Sequence, residues 1–546
     1  MTEASFGRVG VVGLGTMGAG IAEVLARGGL AVVGIEIDAA ALERGRGHLE
    51  SSTGRAVKRG KLTEEARAEI LGRVVLSTDF ADLGDCDLVV EAVPERLDLK
   101  RKVFAELDRV CRDDAVLATN TSSLSVTEIA GTTGRPTKVV GVHFFNPAPV
   151  MRLVEVIGTV LTEPAAVRRV AELVRGLGKT PVTIGDRAGF VANRLLFGYL
   201  NQAAAMLESG HATRDDIDTA MTAGAGLPMG PFTLMDLIGL DTCLGVLEAV
   251  YAESRDRRHA PSPVLSELVR AGLLGRKTGR GFYSYGAEAG ADAEPAGTSA
   301  EPPAVGIVAA GGSAAALVSA VAERAAGGRV RLVAADDARA EVEKALDGTA
   351  LAAVGAGDLA GCDLIIIEAG ADAALAEAVA AAAGADAVLA VTGSVAPILP
   401  RAIATGRPAA VVGLHLPEAG SGLAEIATTA ACGDGVADRA VALVAALGLL
   451  PVRCRGRAGF IVDALRFPYL NDAAAMLEAG YADADSIDAA MTLGCGYRSG
   501  PVADLDRLGL DRAVTVLRAL HAERHEPALA PVPLLEEHAA AGRPLR

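Results

Sequence analysis

Cysteine is sparse and scattered in this chain of 546 residues. The seven, at 86, 111, 243, 362, 432, 454 and 495, form no C-x-x-C pair, and none clusters with a histidine. That pattern excludes a Cys/His metal site and reads as reduced thiols in a cytoplasmic protein. Basic charge is also short. Lys and Arg number 52 against 68 Asp and Glu, a net charge of −16. The balance excludes nucleic acid or an anionic membrane as the main partner, while leaving room for a local basic pocket that takes a phosphate. A long hydrophobic run is missing too. The stretch from Val9 to Ala26 lacks a basic segment before it, is broken by five glycines and carries Glu23. It reads as a strand, turn and helix rather than a signal peptide, and no segment reads as a membrane span.

The most informative feature present is an internal repeat. Residues 189–241 align without a gap on residues 459–511, and 29 of the 53 positions are identical. Weaker pairs lie upstream: RVGVVGLGTMGAGIAEVLA from Arg8 with AVGIVAAGGSAAALVSAVAE from Ala304, and AVLATNTSSL at 115–124 with AVLAVTGSVA at 387–396. Short Val/Ile runs alternate with helical stretches up to about residue 186, which implies a parallel, doubly wound sheet. Beyond it, apolar residues recur at spacings of three and four around Leu195, Tyr199, Met206 and Leu207, the pattern of packed helices. The fold class is therefore α/β: a Rossmann-like doubly wound unit followed by an all-helical unit, the pair duplicated in tandem. The expected divisions are 1–185, 186–285, a Gly/Ala/Pro/Glu-rich linker at 286–303, 304–455 and 456–546.

Gly13, Gly15 and Gly18 form G-x-G-x-x-G directly after the run Val9–Val12 and open a helix. The first permits a tight turn, the second lets backbone approach a pyrophosphate, and the third lets helix pack on strand. The helix N-terminus then faces the phosphate charge. The next strand ends in Glu36, 18 residues past Gly18. A carboxylate there accepts from ribose hydroxyls and repels a 2′-phosphate, so the cofactor expected is NAD rather than NADP.

The segment VVGVHFFNPAPVMRLVEV, 139–156, carries His143 and Glu155. Oxidising an alcohol by hydride removal requires the hydroxyl proton to leave, and histidine titrates in the useful range. A carboxylate behind the ring fixes its tautomer and stabilises the imidazolium. A lone histidine beside a strand is more often a satisfied core residue.

The motifs GLGTMGAGIA, VVEAVPE, NTSSL, HFFNP, LVEV, GFVANRLL and GRKTGRGFY occur in one order over residues 6–285. In this the sequence resembles the L-3-hydroxyacyl-CoA dehydrogenases. The resemblance implies NAD-dependent oxidation of a 3-hydroxyacyl-CoA, with His143 as base and Glu155 as its orienter. It implies Ser122 and Asn193 as substrate-positioning residues, and a hydroxyl and an amide can indeed bind the reacting oxygen and the thioester carbonyl. It also implies Glu95, Lys100, Ser122, Asn146 and Lys277 as contacts of NAD, although Lys100 and Lys277 could be solvated surface charges. The family usually has Asp where this chain has Glu36. A CoA 3′-phosphate needs positive charge. Arg55, Lys58, Arg59 and Lys61 cluster just after Ser51 and Ser52, and the resemblance places CoA around Ser52, Lys58, Arg59 and Lys61. A solvated helix face is the alternative.

The second copy retains His415, Glu425 and Ser394 but has Ala309 and Ala314 for Gly13 and Gly18, Asp463 for Asn193, and no KTGRGFY before Arg546. An alanine methyl where a pyrophosphate must approach is an obstacle. This half reads as non-catalytic, with the two helical units packing as an internal pseudo-dimer; a homo-oligomer through other surfaces stays open. The acyl group expected is short, 3-hydroxybutyryl, with 3-hydroxyadipyl as the alternative. A dehydrogenase of free β-hydroxy acids would lack HFFNP and LVEV. A multienzyme would carry a crotonase-like segment, and a structural relative would have lost the His/Glu pair.

Overall fold

The computed structural model describes residues 6–286, 303–310, 330–334, 352–353, 355–418 and 420–546. The linker read at 286–303 and Ala314 fall almost wholly outside the described residues. The first half begins with eight strands: β1 (Arg8–Val12), β2 (Ala31–Ile35), β3 (Val74–Ser77), β4 (Leu88–Glu91), β5 (Val116–Thr119), β6 (Val139–Phe144), β7 (Leu153–Gly158) and β8 (Thr180–Gly185). They form one sheet in the order β3-β2-β1-β4-β5-β6-β7-β8. Strands β4 and β5 are buried along their whole length, which is why their sequences are apolar up to the closing Glu91 and Thr119 rather than alternating.

The expectation of a wholly parallel sheet is corrected at one edge. Strand β7 runs antiparallel to β6, and β8 follows β7 in parallel. The eight residues between β6 and β7 include Pro147 and Pro149 and cannot hold the helix a parallel crossover needs. The reversal sets His143 directly opposite Glu155 in the register.

The second half repeats the design with β9 (Val305–Ala309), β10 (Val330–Ala334), β11 (Ala352–Ala353), β12 (Leu364–Ile367), β13 (Val388–Thr392), β14 (Val411–His415), β15 (Leu423–Thr428) and β16 (Leu450–Arg455). The order is again the doubly wound one, and β15 is again antiparallel to β14, with His415 opposite Glu425.

Each sheet is followed by helices led by a 17-residue one, Ala192–Glu208 and Val462–Glu478. Equivalent polar residues bracket both sets. Asn201 donates to the carbonyls of Arg258 and Ala260 and accepts from Ser262 N, as Asn471 donates to Ala530 O and accepts from Val532 N. Asp218 accepts from the N–H groups of Phe232 and Thr233, and Asp488 from those of Val502 and Ala503. In each case a buried polar group would be costly if unpaired, so the repeat keeps these residues.

The two helical units pack on each other, and one apolar cluster runs through both. Tyr199 and Tyr469, equivalent in the repeat, meet edge to face with centroids 6.2 Å apart. Arg258 reaches Asp472 at 2.6 Å, and Tyr481 donates to Gly185 O at 3.1 Å. His211 Nε2 lies 2.8 Å from Phe460 O. Burial lowers the His211 pKa to about 4, so the ring is neutral and donates Nε2–H to that carbonyl.

Candidate functional site: a glycine loop and a buried His/Glu pair

The glycine loop has the geometry its spacing implies. Gly13 adopts φ +87°, and a Cβ on Gly18 would lie 1.7 Å from Gly13 O. Above Gly15 nothing comes within 4 Å, so a ligand can approach its backbone. Gly15 caps the helix Thr16–Arg27 without any side-chain hydrogen bond, leaving the first-turn N–H groups for an anion. Glu36 stands beside this loop: its Oε1 accepts from Leu14 N at 2.6 Å. The open backbone, the uncapped helix end and the adjacent carboxylate fit the pyrophosphate and ribose of a dinucleotide. In the second copy Ala309, at the position of Gly13, ends β9.

Beside the loop lies a charged network. Glu95 Oε1 accepts from Thr121 Oγ1 at 2.6 Å and from the N–H groups of Ser122 and Ser123 at 2.8 and 3.0 Å. Burial opposes its charge, but Lys100 and these donors outweigh burial and hold the carboxyl below its usual range. Lys100 is fully buried, 2.8 Å from Glu91 and 3.4 Å from Glu95. It is therefore not a solvated surface charge; it pairs with the carboxylate that accepts from the 121–123 turn. Glu91, which also accepts from Thr119 Oγ1 at 2.8 Å, was not singled out in the sequence. Its signal was a carboxylate ending an otherwise apolar strand, in VVE.

His143 Nδ1 lies 2.7 Å from Glu155 Oε2, both residues being buried. The other oxygen of Glu155 accepts from Val191 N and Ala192 N, each at 3.1 Å. These donors lead the helix Ala192–Glu208, so the carboxylate rests on the positive end of a helix. Phe190, just before, is held at φ +48°, a strained conformation for a bulky residue, and its counterpart Phe460 is at +47°. The turn thus persists in both copies where the chain delivers two N–H groups to the carboxylate. An Nδ1–H donated to Glu155 leaves Nε2 as the ring's acceptor. Phe145 and Phe190 pack on the imidazole, with centroids 4.5 and 5.7 Å away.

The second copy arranges the same elements differently. Glu425 still accepts from Ile461 N and Val462 N at 2.8 and 2.9 Å. But His415 Nε2 sits 3.2 Å from Asp463 Oδ2, in ion-pair range though off the line of a hydrogen bond, and 3.8 Å from Glu425. Asp463 also accepts from Ser394 Oγ at 2.6 Å and from Arg512 at 3.2 Å. Burial opposes charge on His415, yet Asp463 and Glu425 outweigh it and raise its pKa. The positions of Ser122, Asn193 and His143 therefore meet in this copy as Ser394, Asp463 and His415, with the polar space closed by an internal carboxylate. Nearby, Arg466 and Asp504 pair at 3.3 Å where the first copy has Leu196 and Leu234.

The remaining candidates are spread more widely. Ser122 shares the Glu95 network, at 3.2 Å through its hydroxyl, and Asn193 is the second residue of its helix. Asn146 is exposed just past β6. Lys277 pairs with Asp241 at 2.6 Å within the helical unit, and among the described residues no hydrogen bond or ion pair ties it to the glycine loop. Ser52 is half-buried on the helix Ala39–Lys58, while Lys58, Arg59 and Lys61 are exposed at its end with no ion pair among the described residues. Arg55 bonds Ser51 instead. No helix among the described residues is long and apolar enough to cross a membrane.

A model of the 3-hydroxyacyl-CoA dehydrogenase NAD binding domain matches residues 8–187, and the C-terminal domain model of the same family matches 189–285 and again 459–546. A 3-hydroxybutyryl-CoA dehydrogenase of Mycobacterium tuberculosis is 48% identical over 280 residues, 51% of this chain and 98% of that one. The 3-hydroxyadipyl-CoA dehydrogenase of Escherichia coli is 44% identical over 281 residues, covering 51% of this chain and 59% of that one. The crystal structure of a 3-hydroxybutyryl-CoA dehydrogenase from Escherichia coli is matched along both halves, covering 98% of this chain and 99% of that one, at 31% identity and a TM-score of 0.77. The Mycobacterium tuberculosis relative thus spans about half of this chain, and the duplicated plan has a solved counterpart. Taken with the dinucleotide loop already described, these matches make the chain a member of the 3-hydroxyacyl-CoA dehydrogenase family, an NAD-dependent oxidoreductase that carries its domain pair twice.

Proposed function

We propose that the first half alone oxidises short (S)-3-hydroxyacyl-CoA thioesters, 3-hydroxybutyryl-CoA foremost, to the 3-ketoacyl-CoA. His143 Nε2 takes the proton of the 3-hydroxyl. Glu155 holds the ring by Nδ1 and steadies the imidazolium that results. NAD, when bound, supplies hydride acceptance. Ser122 and Asn193 position the reacting oxygen and the thioester carbonyl. The glycine loop and Glu36 hold the cofactor, with Glu95 and Asn146 beside it and Lys100 acting through Glu95. Ser52, Lys58, Arg59 and Lys61 supply the positive end for the CoA 3′-phosphate. The observation that carries this reading is the 2.7 Å bond from His143 Nδ1 to a carboxylate held by two backbone N–H groups.

The second half serves architecture. Supporting this are its internally paired His415 and its alanine at the glycine-loop position. The Tyr199–Tyr469 and Arg258–Asp472 contacts support an internal pseudo-dimer, made intramolecular by the tether. A cytoplasmic setting suits seven unpaired thiols.

A 3-hydroxyadipyl substrate is the second reading, favoured by the name of the Escherichia coli relative that is 44% identical. Steady-state NADH formation with 3-hydroxybutyryl-, 3-hydroxyhexanoyl-, 3-hydroxyoctanoyl- and 3-hydroxyadipyl-CoA decides between them. The highest kcat/KM should fall on the butyryl substrate. A higher value for the adipyl substrate establishes the second reading, and no turnover on any refutes both.

A further inference from the structure

The π-helical segments of the two helical units, Ala220–Gly224 and Ala490–Gly494, cross over to the opposite half. Gly494 packs on the first half: a Cβ there would meet Leu153 Cδ2 at 2.7 Å and Phe145 Cε1 at 3.4 Å. Phe145 is the ring that lies 4.5 Å from His143, and Leu153 is two residues before Glu155 on β7. The next residue, Cys495, lies within electrostatic reach of Glu155; burial first, and that charge second, push its thiol up to about 12. The mirror contact is made by Gly224, whose added Cβ would meet Leu423 Cδ2 at 2.5 Å and Val462 Cγ2 at 2.8 Å in the second half. The repeat is asymmetric here: the segment reaching the His143 side reads Gly-Cys-Gly-Tyr, and the one reaching the His415 side reads Gly-Ala-Gly-Leu.

We infer that Gly494 and Cys495 of the second half close the apolar wall of the first half's acyl pocket, through Phe145 and Leu153, and so set the acyl length it accepts. The inference rests on the functional reading above and extends it. It gives the non-catalytic half a part in specificity. An apolar wall of Phe145, Leu153, Gly494 and Cys495 suits an alkyl terminus better than a second carboxylate.

The mirror symmetry supplies the control. Neither Gly224 nor Gly494 has positive φ, so alanine is conformationally allowed at both, and both substitutions load the same kind of contact. Gly494→Ala, Cys495→Ala and Gly224→Ala are compared with the unaltered chain for kcat/KM on the butyryl, hexanoyl and octanoyl substrates, together with melting temperature. Gly494→Ala should lower the octanoyl-to-butyryl ratio of kcat/KM by roughly 10-fold, the effect of a methylene in an apolar pocket. Cys495→Ala, which removes a sulfur, should raise that ratio. Gly224→Ala should leave it unchanged, whatever it does to the melting temperature. An active unaltered enzyme whose ratio is the same in Gly494→Ala, or is moved equally by Gly224→Ala, overturns this inference alone. If the unaltered chain turns over none of the substrates, the functional reading falls and takes this inference with it. Should Gly494→Ala not fold, the direction of the Cys495→Ala change decides the matter.

Discussion

His143 and Glu155 face each other across two antiparallel strands, and the carboxylate that orients the histidine is itself oriented by the backbone of Val191 and Ala192. One oxygen therefore serves the ring and the other serves the helix. Glu155→Gln keeps the shape but brings an amide NH2 against donors on one side or the other. It should lower kcat by on the order of 10²–10⁴, the scale of a base that loses its tautomer control, with a smaller change in KM. Steady-state kinetics check this. An unchanged kcat removes Glu155 from the mechanism.

Lys100 and Glu91 form an ion pair with both side chains fully covered. Removing one partner leaves a buried charge without compensation, which costs about 3–5 kcal/mol. Lys100→Met should therefore lower stability by about that amount in chemical denaturation. It should also loosen Glu95, whose carboxyl Lys100 helps to keep charged. A loss under about 1 kcal/mol would show that the pair is not what holds this turn.

The His415–Asp463 contact gives the second half a pH signature. The folded pKa of His415 is raised above 6.5, so its contribution is fully present below 6.5 and is lost as pH rises through the folded value. Asp463 is lowered from 3.8: burial opposes its charge, but His415 and Arg512 outweigh burial. Its contribution is present above 3.8 and is lost as pH falls through the folded value. Burial also raises Glu425 to about 7, which acts in the same sense as His415. The melting-temperature gap between the unaltered chain and His415→Gln should be widest between about pH 4 and 6.5 and narrow at alkaline pH. A gap that widens with pH contradicts the pairing.

Much of this arrangement is legible in the sequence, because its signals are local or repeated. The glycine spacing dictates the Gly13 turn and the Gly18–Gly13 approach. The repeat dictates two doubly wound sheets and two helical sets, and the apolar strands declare burial on both faces. What was not legible depends on the chain meeting itself at long range. The antiparallel β7 arises from a short Pro-containing return, a feature that Val/Ile runs do not encode. The burial of Lys100 follows from Glu91 and Glu95 converging on it. His415 and Glu425 both stand in the sequence, but nothing in it tells that Asp463, 48 residues from His415, draws the ring away. Contact of Gly494 with Leu153 spans the two halves and has no sequence signature at all.

In the proposed function one histidine works and its repeat does not. It is tested by measuring kcat on 3-hydroxybutyryl-CoA for His143→Ala and His415→Ala, with NAD binding and melting temperature recorded for both. His143→Ala should lose on the order of 10²–10⁴ in kcat with NAD binding intact, while His415→Ala should keep near-normal kcat. Comparable losses in the two variants, or near-normal turnover in His143→Ala, would contradict it.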